Sequence, residues 1–415
     1  MNPPTLIAGV LLGLLACASL TQSWRPVRDR LPILTVAGLS VVALGLRWRF
    51  LQTQLQAPLW PDTESVQRWS LAMSHPYDTI VREPLWPWIA WAFQTLLGQG
   101  PLAMRLLSIL ASVLIVPAAY LLGRDYGKSR LAGLIAAGII TLHRYLIYSS
   151  AQGHRTELLI LGITAVTYFG LVDGIRRRHR VAGLAVSTAA LLLTSLSTIV
   201  IVAPLTLWAG YRHRLRLRDP LTVFIVVAVV ITPHIAYNYQ KYGTYSYFST
   251  RMVPAFYRNY EFIAVRGTGC DGCPSVEEYR ASSFSGRPVS MGEYLFTLHT
   301  PGEVAARTYE GFMMSFLRRG PELQALLGGS SWIRYGLYLA GSLIALATYR
   351  RELLVVMLLT LNLTAFVVPL GGVDVRLLTG PVVIAALLQA TPISAAAGWF
   401  VARWKTSGTR LMSTT

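Results

Sequence analysis

The sequence predicts an all-α polytopic membrane protein with about eleven transmembrane helices and with interfacial helices in two extracytoplasmic loops. Its composition is the first reason, because 53% of the 415 residues are hydrophobic and only 13% are charged, whereas a soluble protein carries about a quarter charged residues. The second reason is the alternation of long apolar runs with short basic loops, which is typical of a chain that crosses a bilayer repeatedly.

The apolar runs are close to the roughly 17–25 residues that cross a bilayer as a helix. A few are slightly short, and we expect their helices to extend beyond the run. The first run has no basic segment before it and a second span follows, which favours a transmembrane helix over a signal peptide. The runs lie near residues 5–20, 31–46, 104–123, 131–149, 156–173, 181–195, 197–210, 220–236, 332–349, 353–370 and 377–398.

Positive charge collects in the loops on one side of the predicted spans, as in RRRHR at 176–180 and RHRLRLR at 212–218. The positive-inside rule puts these loops in the cytoplasm, the N-terminus outside and the C-terminus inside. The net charge of +18 therefore reflects topology and indicates no nucleic-acid partner. We expect a multi-pass protein of the plasma (inner) membrane whose site faces outside.

This topology divides the chain into six parts, of which two are polar and lie outside. They are the first two spans (1–46), a first extracytoplasmic loop (47–103), transmembrane helices (104–236), a second extracytoplasmic region (237–331), C-terminal transmembrane helices (332–400) and a cytoplasmic tail (401–415).

The first outer loop contains WPDTES at residues 60–65, followed by an amphipathic stretch in which Val66, Trp69 and Met73 recur at helical spacing. We expect an interfacial helix with its apolar side down, capped by Asp62 or Thr63. A second interfacial helix is predicted for REPLWPWIAWAFQTLLG at 82–98, since a span there would invert every later basic loop.

At this point the sequence resembles the GT-C superfamily of membrane glycosyltransferases, which includes the protein O-mannosyltransferases and the lipid A aminoarabinose transferases. The resemblance rests on the order of WPDTES, REPLWPWIAWAFQTLLG, GPLAMRLLSILASVLIVPAAYLLGRDYG and SSAQGHRTELLILGITAVTYF, and more weakly on DVRLLTGPVVIAALL. It implies transfer of a sugar from a polyprenyl-phosphate donor to a lipid, glycan or protein acceptor outside the cytoplasm. Some members use a divalent metal ion and others do not, so a metal is left open.

The resemblance also implies roles for residues of the first outer loop. Its catalytic acid falls on Asp62, with Glu64 as a second acid, although Thr63 separates the two where many members have adjacent acids. Arg82 matches the cation near the lipid phosphate. The chemistry is consistent, because polyprenyl phosphate is a good leaving group and the acceptor hydroxyl needs a general base, worth about 10²–10⁴-fold in rate. The expected outcome is inversion at the anomeric carbon.

Further candidates for substrate binding each have a structural alternative. Arg155 and Glu157, at the outer end of a span, either contact the sugar or phosphate or form a snorkelling pair at the helix end. Glu83 is either a further acid or the ion-pair partner of its neighbour Arg82. Arg376 is either a membrane anchor or a phosphate ligand.

The second outer region begins with a tyrosine-rich stretch that contains Arg258, a candidate phosphate ligand. Its tyrosines suit either a sugar cleft or the aromatic belt of a membrane interface. Cys270 and Cys273 are expected to form a short disulfide, because a metal would need more ligands. Thr300, Pro301 and Glu303 predict a capped helix start.

Two other functions are weighed against sugar transfer. A transporter or flippase of lipid-linked saccharides would carry mid-span charges and interrupted helices, whereas the sequence places nearly all charges at span ends. A lipid-linked glycan polymerase or ligase would also use outer loops and arginines but would depend less on an acid in the first loop. Asp62 therefore discriminates between these functions.

Overall fold

The computed structural model describes residues 25–412 apart from 80–82, 99, 243–296, 298–299, 313–320, 349–350 and 358–378. All regular secondary structure in these residues is helical, which confirms the predicted all-α class. The N-terminal part contains α1 (Arg25–Gln54), α2 (Pro61–Ala72), α3 (Leu85–Leu97), α4 (Pro101–Asp125), α5 (Arg130–Thr141), α6 (Arg144–Ser150), α7 (Thr156–Leu171), α8 (Arg177–Thr194), a 3₁₀ turn (Leu196–Thr198), α9 (Ile199–Arg212) and α10 (Arg218–Tyr242). The C-terminal part contains α11 (Pro301–Phe312), α12 (Pro321–Leu327), α13 (Trp332–Ala347), α14 (351–357) and α15 (Val382–Met412).

Helix α4 lies at the centre of the bundle and packs against α1, α5 and α7. Its contact with α5 is close because glycines face each other: a Cβ on Gly123 would lie 2.7 Å from Cα of Gly133. Small residues of this kind let two backbones approach where lipid gives no hydrophobic drive to association.

Four helices in the described part of the chain are long and apolar enough to cross a membrane: Leu31–Gln54, Pro101–Asp125, Arg218–Lys241 and Val382–Phe400. A fifth span arises if the bent pair α5 and α6 is counted as one, and α7 and α13 are apolar but shorter. The protein is thus a multi-pass membrane protein, but the count of eleven spans is not confirmed. Helices occupy most of each predicted run that the structure describes, yet several of them are shorter than a bilayer requires.

The predicted span at 131–149 is broken into two helices. Helices α5 and α6 meet at an angle of 52°, and His143 begins α6 by accepting a hydrogen bond at Nδ1 from the Leu146 N–H, 3.3 Å away. His143 is fully buried and therefore lies inside the bundle, away from a membrane interface.

Arg47 was predicted to begin the first outer loop, but α1 continues to Gln54 and leaves Arg47 fully buried in the bundle. Its guanidinium donates to Ser112 Oγ at 2.8 Å and to the carbonyls of Ile140 and Thr141 at 3.5 and 3.4 Å. These carbonyls lie at the end of α5, where the Ile140 carbonyl also accepts from the His143 N–H at 3.3 Å, and the arginine adds a donor to both. The expectation that charges lie at span ends is wrong for this residue.

The interfacial helix α2 packs on protein, which corrects the expectation that its apolar side faces lipid. Val66 is buried in a cluster with Trp86 and Ala90 of α3 and with Met104 of α4, and Trp69 packs against that cluster. The neighbouring helices offer an apolar surface directly, so α2 needs no lipid to bury its hydrophobic side chains.

The predicted capping box at the start of α11 is confirmed. The Thr300 N–H and hydroxyl donate to Glu303 Oε2 at 2.8 and 2.9 Å, and the Glu303 N–H donates to Thr300 Oγ1 at 3.3 Å. Pro301 occupies the first helical position, where a missing N–H costs nothing.

Candidate active site

The WPDTES segment begins α2, but the predicted cap is not made. Trp60 occupies the N-cap position without a side-chain hydrogen bond, and Pro61 is the first helical residue. The Thr63 side chain is buried and its Oγ1 lies 3.2 Å from Nδ1 of His154. The Trp60 ring stands edge-on to the same histidine, with ring centroids 5.4 Å apart. Thr63 therefore joins the first outer loop to the turn before α7.

Asp62 lies in the first turn of α2, next to Thr63 in the chain. Its backbone is thereby held at the His154 turn, although its side chain is not among those that the structure describes. The role of Asp62 as a base stays a prediction.

The turn before α7 is shaped by Gly153, whose φ of +74° is a left-handed conformation. A Cβ at this position would also lie 3.0 Å from Thr63 Cγ2 and 3.3 Å from the Met104 carbonyl carbon. Both the backbone conformation and the space require glycine here. The close approach lets the turn sit directly on the start of α2.

Glu83 and Arg155 form an ion pair that links three segments at this end of the bundle. Arg155 Nη1 donates to Glu83 Oε2 at 2.9 Å and to the Thr194 carbonyl at 2.9 Å, and the Leu196 N–H donates to Glu83 Oε1 at 3.0 Å. The Glu83 side chain is 8% exposed and that of Arg155 is 31% exposed. Glu83 is therefore an ion-pair partner, as one of the two hypotheses held, but its partner is 72 positions away in the chain.

Glu157 points into the bundle, which corrects the hypothesis of a snorkelling pair with Arg155. It is fully buried, with Oε1 2.5 Å from the Ser149 hydroxyl and Oε2 2.9 Å from the Ser108 hydroxyl. The role of Glu157 in substrate binding stays a prediction.

Glu64 lies apart from these contacts. Its side chain is 52% exposed, and Arg68, one helical turn later, is 4.0 Å away. An exposed pair at this distance contributes little free energy. The part of Glu64 in catalysis stays a prediction.

Several predicted residues fall outside the described part of the chain. Arg82, Arg258, Arg376 and the Cys270–Cys273 pair are in this group, and their predictions remain as the sequence made them. Within the described residues, no three His, Cys, Asp or Glu side chains are grouped so that they could hold a metal ion.

A polar and aromatic contact at the end of α10 was missed by the sequence reasoning. Lys241 Nζ lies 2.6 Å from Asp78 Oδ2, and His75 stacks on Tyr237 with ring centroids 4.6 Å apart and planes at 4°. The end of α10 is thereby fastened to the first outer loop. The sequence pointed to this contact only through the aromatic residues in both segments. Membrane-interface belts have the same composition, so the signal was not specific.

A cavity of about 510 Å³ lies at the other end of the bundle and does not belong to this site. Arg124, Lys128, Tyr168 and Asp173 are among its lining residues. Ser108 and Arg124 both lie on α4, sixteen residues apart, so the two regions are separated by about 24 Å.

Residues 74–237, less than half of the chain, match the family model described as dolichyl-phosphate-mannose-protein mannosyltransferase. The match includes Glu83, Arg155 and Glu157 and begins after Asp62. No curated protein and no solved structure matches the chain. The predicted resemblance is thus confirmed: over residues 74–237 the chain is similar to the dolichyl-phosphate-mannose-protein mannosyltransferases, which indicates a membrane glycosyltransferase of the GT-C type.

Proposed function

We propose that this protein transfers a sugar from a polyprenyl-phosphate donor to an acceptor hydroxyl at the outer face of the plasma membrane, with inversion at the anomeric carbon. The observation that carries the proposal is the junction between the first outer loop and the turn before α7. There Thr63 meets His154 and Glu83 meets Arg155, and the backbone of Asp62 lies beside Thr63. The family match over residues 74–237 supports the same reaction class.

In the proposed reaction, Asp62 accepts the proton of the acceptor hydroxyl as its oxygen attacks the anomeric carbon. The bond between that carbon and the phosphate oxygen breaks, and its electron pair leaves on the polyprenyl phosphate. The products are the glycosylated acceptor and polyprenyl phosphate, and the proton passes from Asp62 to water. General-base assistance of this kind is worth about 10²–10⁴-fold in rate.

The departing phosphate gains negative charge, so fixed positive charge near it stabilises the transition state. We assign this role to Arg82, in the segment before α3, and to the partly exposed guanidinium of Arg155. Glu83 holds Arg155 in place from its buried side. The prenyl chain stays in lipid beside the exposed apolar residues of α3, such as Trp91 and Leu96.

A lipid, a glycan and a protein all present hydroxyl groups, and we leave the acceptor open among these three. Transport of a lipid-linked saccharide is the second candidate function, because the break between α5 and α6 and the buried Arg47 are features that transporters share. The described residues hold one such bent helix pair rather than the two that an internal repeat would provide.

Purified protein in lipid nanodiscs tests the proposal with a panel of polyprenyl-phosphate monosaccharides and cell-envelope extract as acceptor. We expect the wild type to release polyprenyl phosphate, and the rate is measured both with and without an added divalent ion. Asp62→Asn should lower the rate of release by about 10²-fold or more. Asp173→Asn is the control, because it makes the same chemical change at the other end of the bundle. Donor binding without release from any donor would favour transport, and full activity of Asp62→Asn would remove Asp62 as the base.

A further inference from the structure

Two ionisable residues lie inside the bundle and take no part in the proposed reaction. Arg47 of α1 and Glu157 of α7 are both fully buried, and no ion pair joins them among the described residues. A buried charge is costly unless other groups compensate it. The two residues solve this problem in different ways.

Arg47 keeps its charge because acceptors surround it. Its guanidinium donates to Ser112 Oγ, to the carbonyl of Ala43 at 3.1 Å, and to the carbonyls that end α5. The carboxyl end of a helix carries partial negative charge, which favours a cation at this position. These acceptors compensate the charge of Arg47 without a direct ion pair to Glu157.

Glu157 is surrounded by groups whose protons can be counted. Ser149 Oγ lies 2.5 Å from Glu157 Oε1, Ser108 Oγ lies 2.9 Å from Oε2, and the same Ser108 Oγ lies 3.0 Å from the His154 carbonyl. A serine hydroxyl has one proton to donate. If Glu157 is ionised, the single proton of Ser108 faces two acceptors and one contact lacks a full hydrogen bond.

A proton on Glu157 completes the set. The carboxylic acid then donates from Oε2 to Ser108, Ser108 donates to the His154 carbonyl, and Ser149 donates to Oε1. Three protons serve these three contacts, the backbone N–H of Glu157 also donates to the carboxyl group, and no net charge is buried at Glu157. Partly satisfied buried networks are costly, whereas fully satisfied ones rigidify the groups that they join.

We propose that Glu157 is a neutral, proton-bearing carboxylic acid that acts as a positioning residue for the outer turn. Through Ser108 it holds the backbone of His154, which contacts Thr63 at the start of α2, and it lies two residues from Arg155. The hydrogen bonds run from the interior of the bundle to the loop that carries Asp62. This inference goes beyond the proposed transfer reaction, since the protonation state of Glu157 stands whether or not that reaction is the right one.

Infrared difference spectroscopy on the full chain in nanodiscs tests the protonation directly. We expect the wild-type minus Glu157→Gln spectrum to show the carbonyl stretch of a protonated carboxylic acid at neutral pH, and Ser108→Ala to shift that band. Glu352→Gln is the matched control, because Glu352 accepts from the Tyr126 hydroxyl at 2.8 Å and pairs with Arg212. Its difference spectrum should show the bands of an ionised carboxylate. The same ionised bands for Glu157 would overturn the proposal.

Turnover tests the positioning role. Glutamine supplies one donor and one acceptor without charge, so Glu157→Gln should lower kcat far less than a substitution that removes both. Glu157→Leu removes both and should lower kcat by about 10²-fold, the usual effect of a small displacement of a catalytic group, with KM for the donor changed far less. A folded Glu157→Gln protein as inactive as the leucine variant would contradict the proposal. If the wild type transfers no sugar at all, the infrared result still decides the protonation state.

Discussion

Arg155→Met tests whether the outer end is held by the contact between Arg155 and Glu83. The substitution removes the cation that pairs with Glu83, a carboxylate that is only 8% exposed. Removing one partner of a buried pair costs about 3–5 kcal/mol. Because the Arg155 side chain is 31% exposed, we expect the lower end of that range, about 3 kcal/mol of the free energy of unfolding.

A double-mutant cycle separates the contact from other effects of the substitutions. Glu83→Gln keeps the shape of the side chain and an acceptor for the Leu196 N–H, so it should cost less than Arg155→Met. We expect a coupling free energy of about 1–3 kcal/mol between the two positions, in the range for residues in direct contact. The measurement is the free energy of unfolding in mixed micelles with increasing fractions of sodium dodecyl sulfate.

The control cycle uses Lys128 and Asp173, whose side chains are 76% and 51% exposed and lie 3.8 Å apart. An exposed pair of this kind should couple by less than about 1 kcal/mol. If Arg155 and Glu83 couple by less than about 0.5 kcal/mol, the level at which independent sites add, the reasoning that places this ion pair at the centre of the site is wrong.

Three further predictions concern other parts of the molecule. Gly153→Ala should destabilise the protein by about 1–2 kcal/mol, because φ is +74° and Thr63 leaves no room, whereas Gly138→Ala, in open space within a helix, should be neutral or stabilising in the same unfolding assay. Thr300→Ala should cost about 1 kcal/mol locally, seen as faster amide exchange in the helix that follows; unchanged exchange would contradict the role of the capping box. Burial lowers the pKa of His213, so the folded state resists protonation. The free energy of unfolding should therefore fall as the pH drops below the unfolded pKa of about 6.5. His213→Gln should flatten this fall between about pH 7 and 5, and a pH profile identical to that of the wild type would contradict the prediction.

Local features of the fold were predictable because they depend on neighbours in the chain. The capping box at Thr300 and Glu303 is made by residues three positions apart, and the structure shows it as predicted. The helical runs follow from apolar composition in the same way. By contrast, the break between Thr141 and Arg144 had no proline to mark it. Arg47, almost a hundred positions away, donates to the Thr141 carbonyl at the break, a contact that no local pattern could show.

The candidate site was predictable in its residue types and less so in its pairing. Glu83 and Arg155 were both selected from the sequence, and yet each was assigned a neighbour as its partner. A carboxylate pairs with the guanidinium that lies nearest to it in space. Here the packing of α3 and α8 near the turn before α7 brings Glu83 and Arg155 together.

The sequence by itself determined that this chain is a helical membrane protein that resembles membrane glycosyltransferases, because composition, periodicity and the order of short motifs are properties of neighbouring residues. The tertiary structure alone decided that Thr63 contacts His154 instead of capping its helix, that Arg155 pairs with Glu83, and that Glu157 turns inward to two serines. These outcomes depend on which buried polar groups lie within hydrogen-bonding distance once the helices have packed. Since the partners of Thr63, Arg155 and Glu157 come from other segments of the chain, no local pattern could specify them.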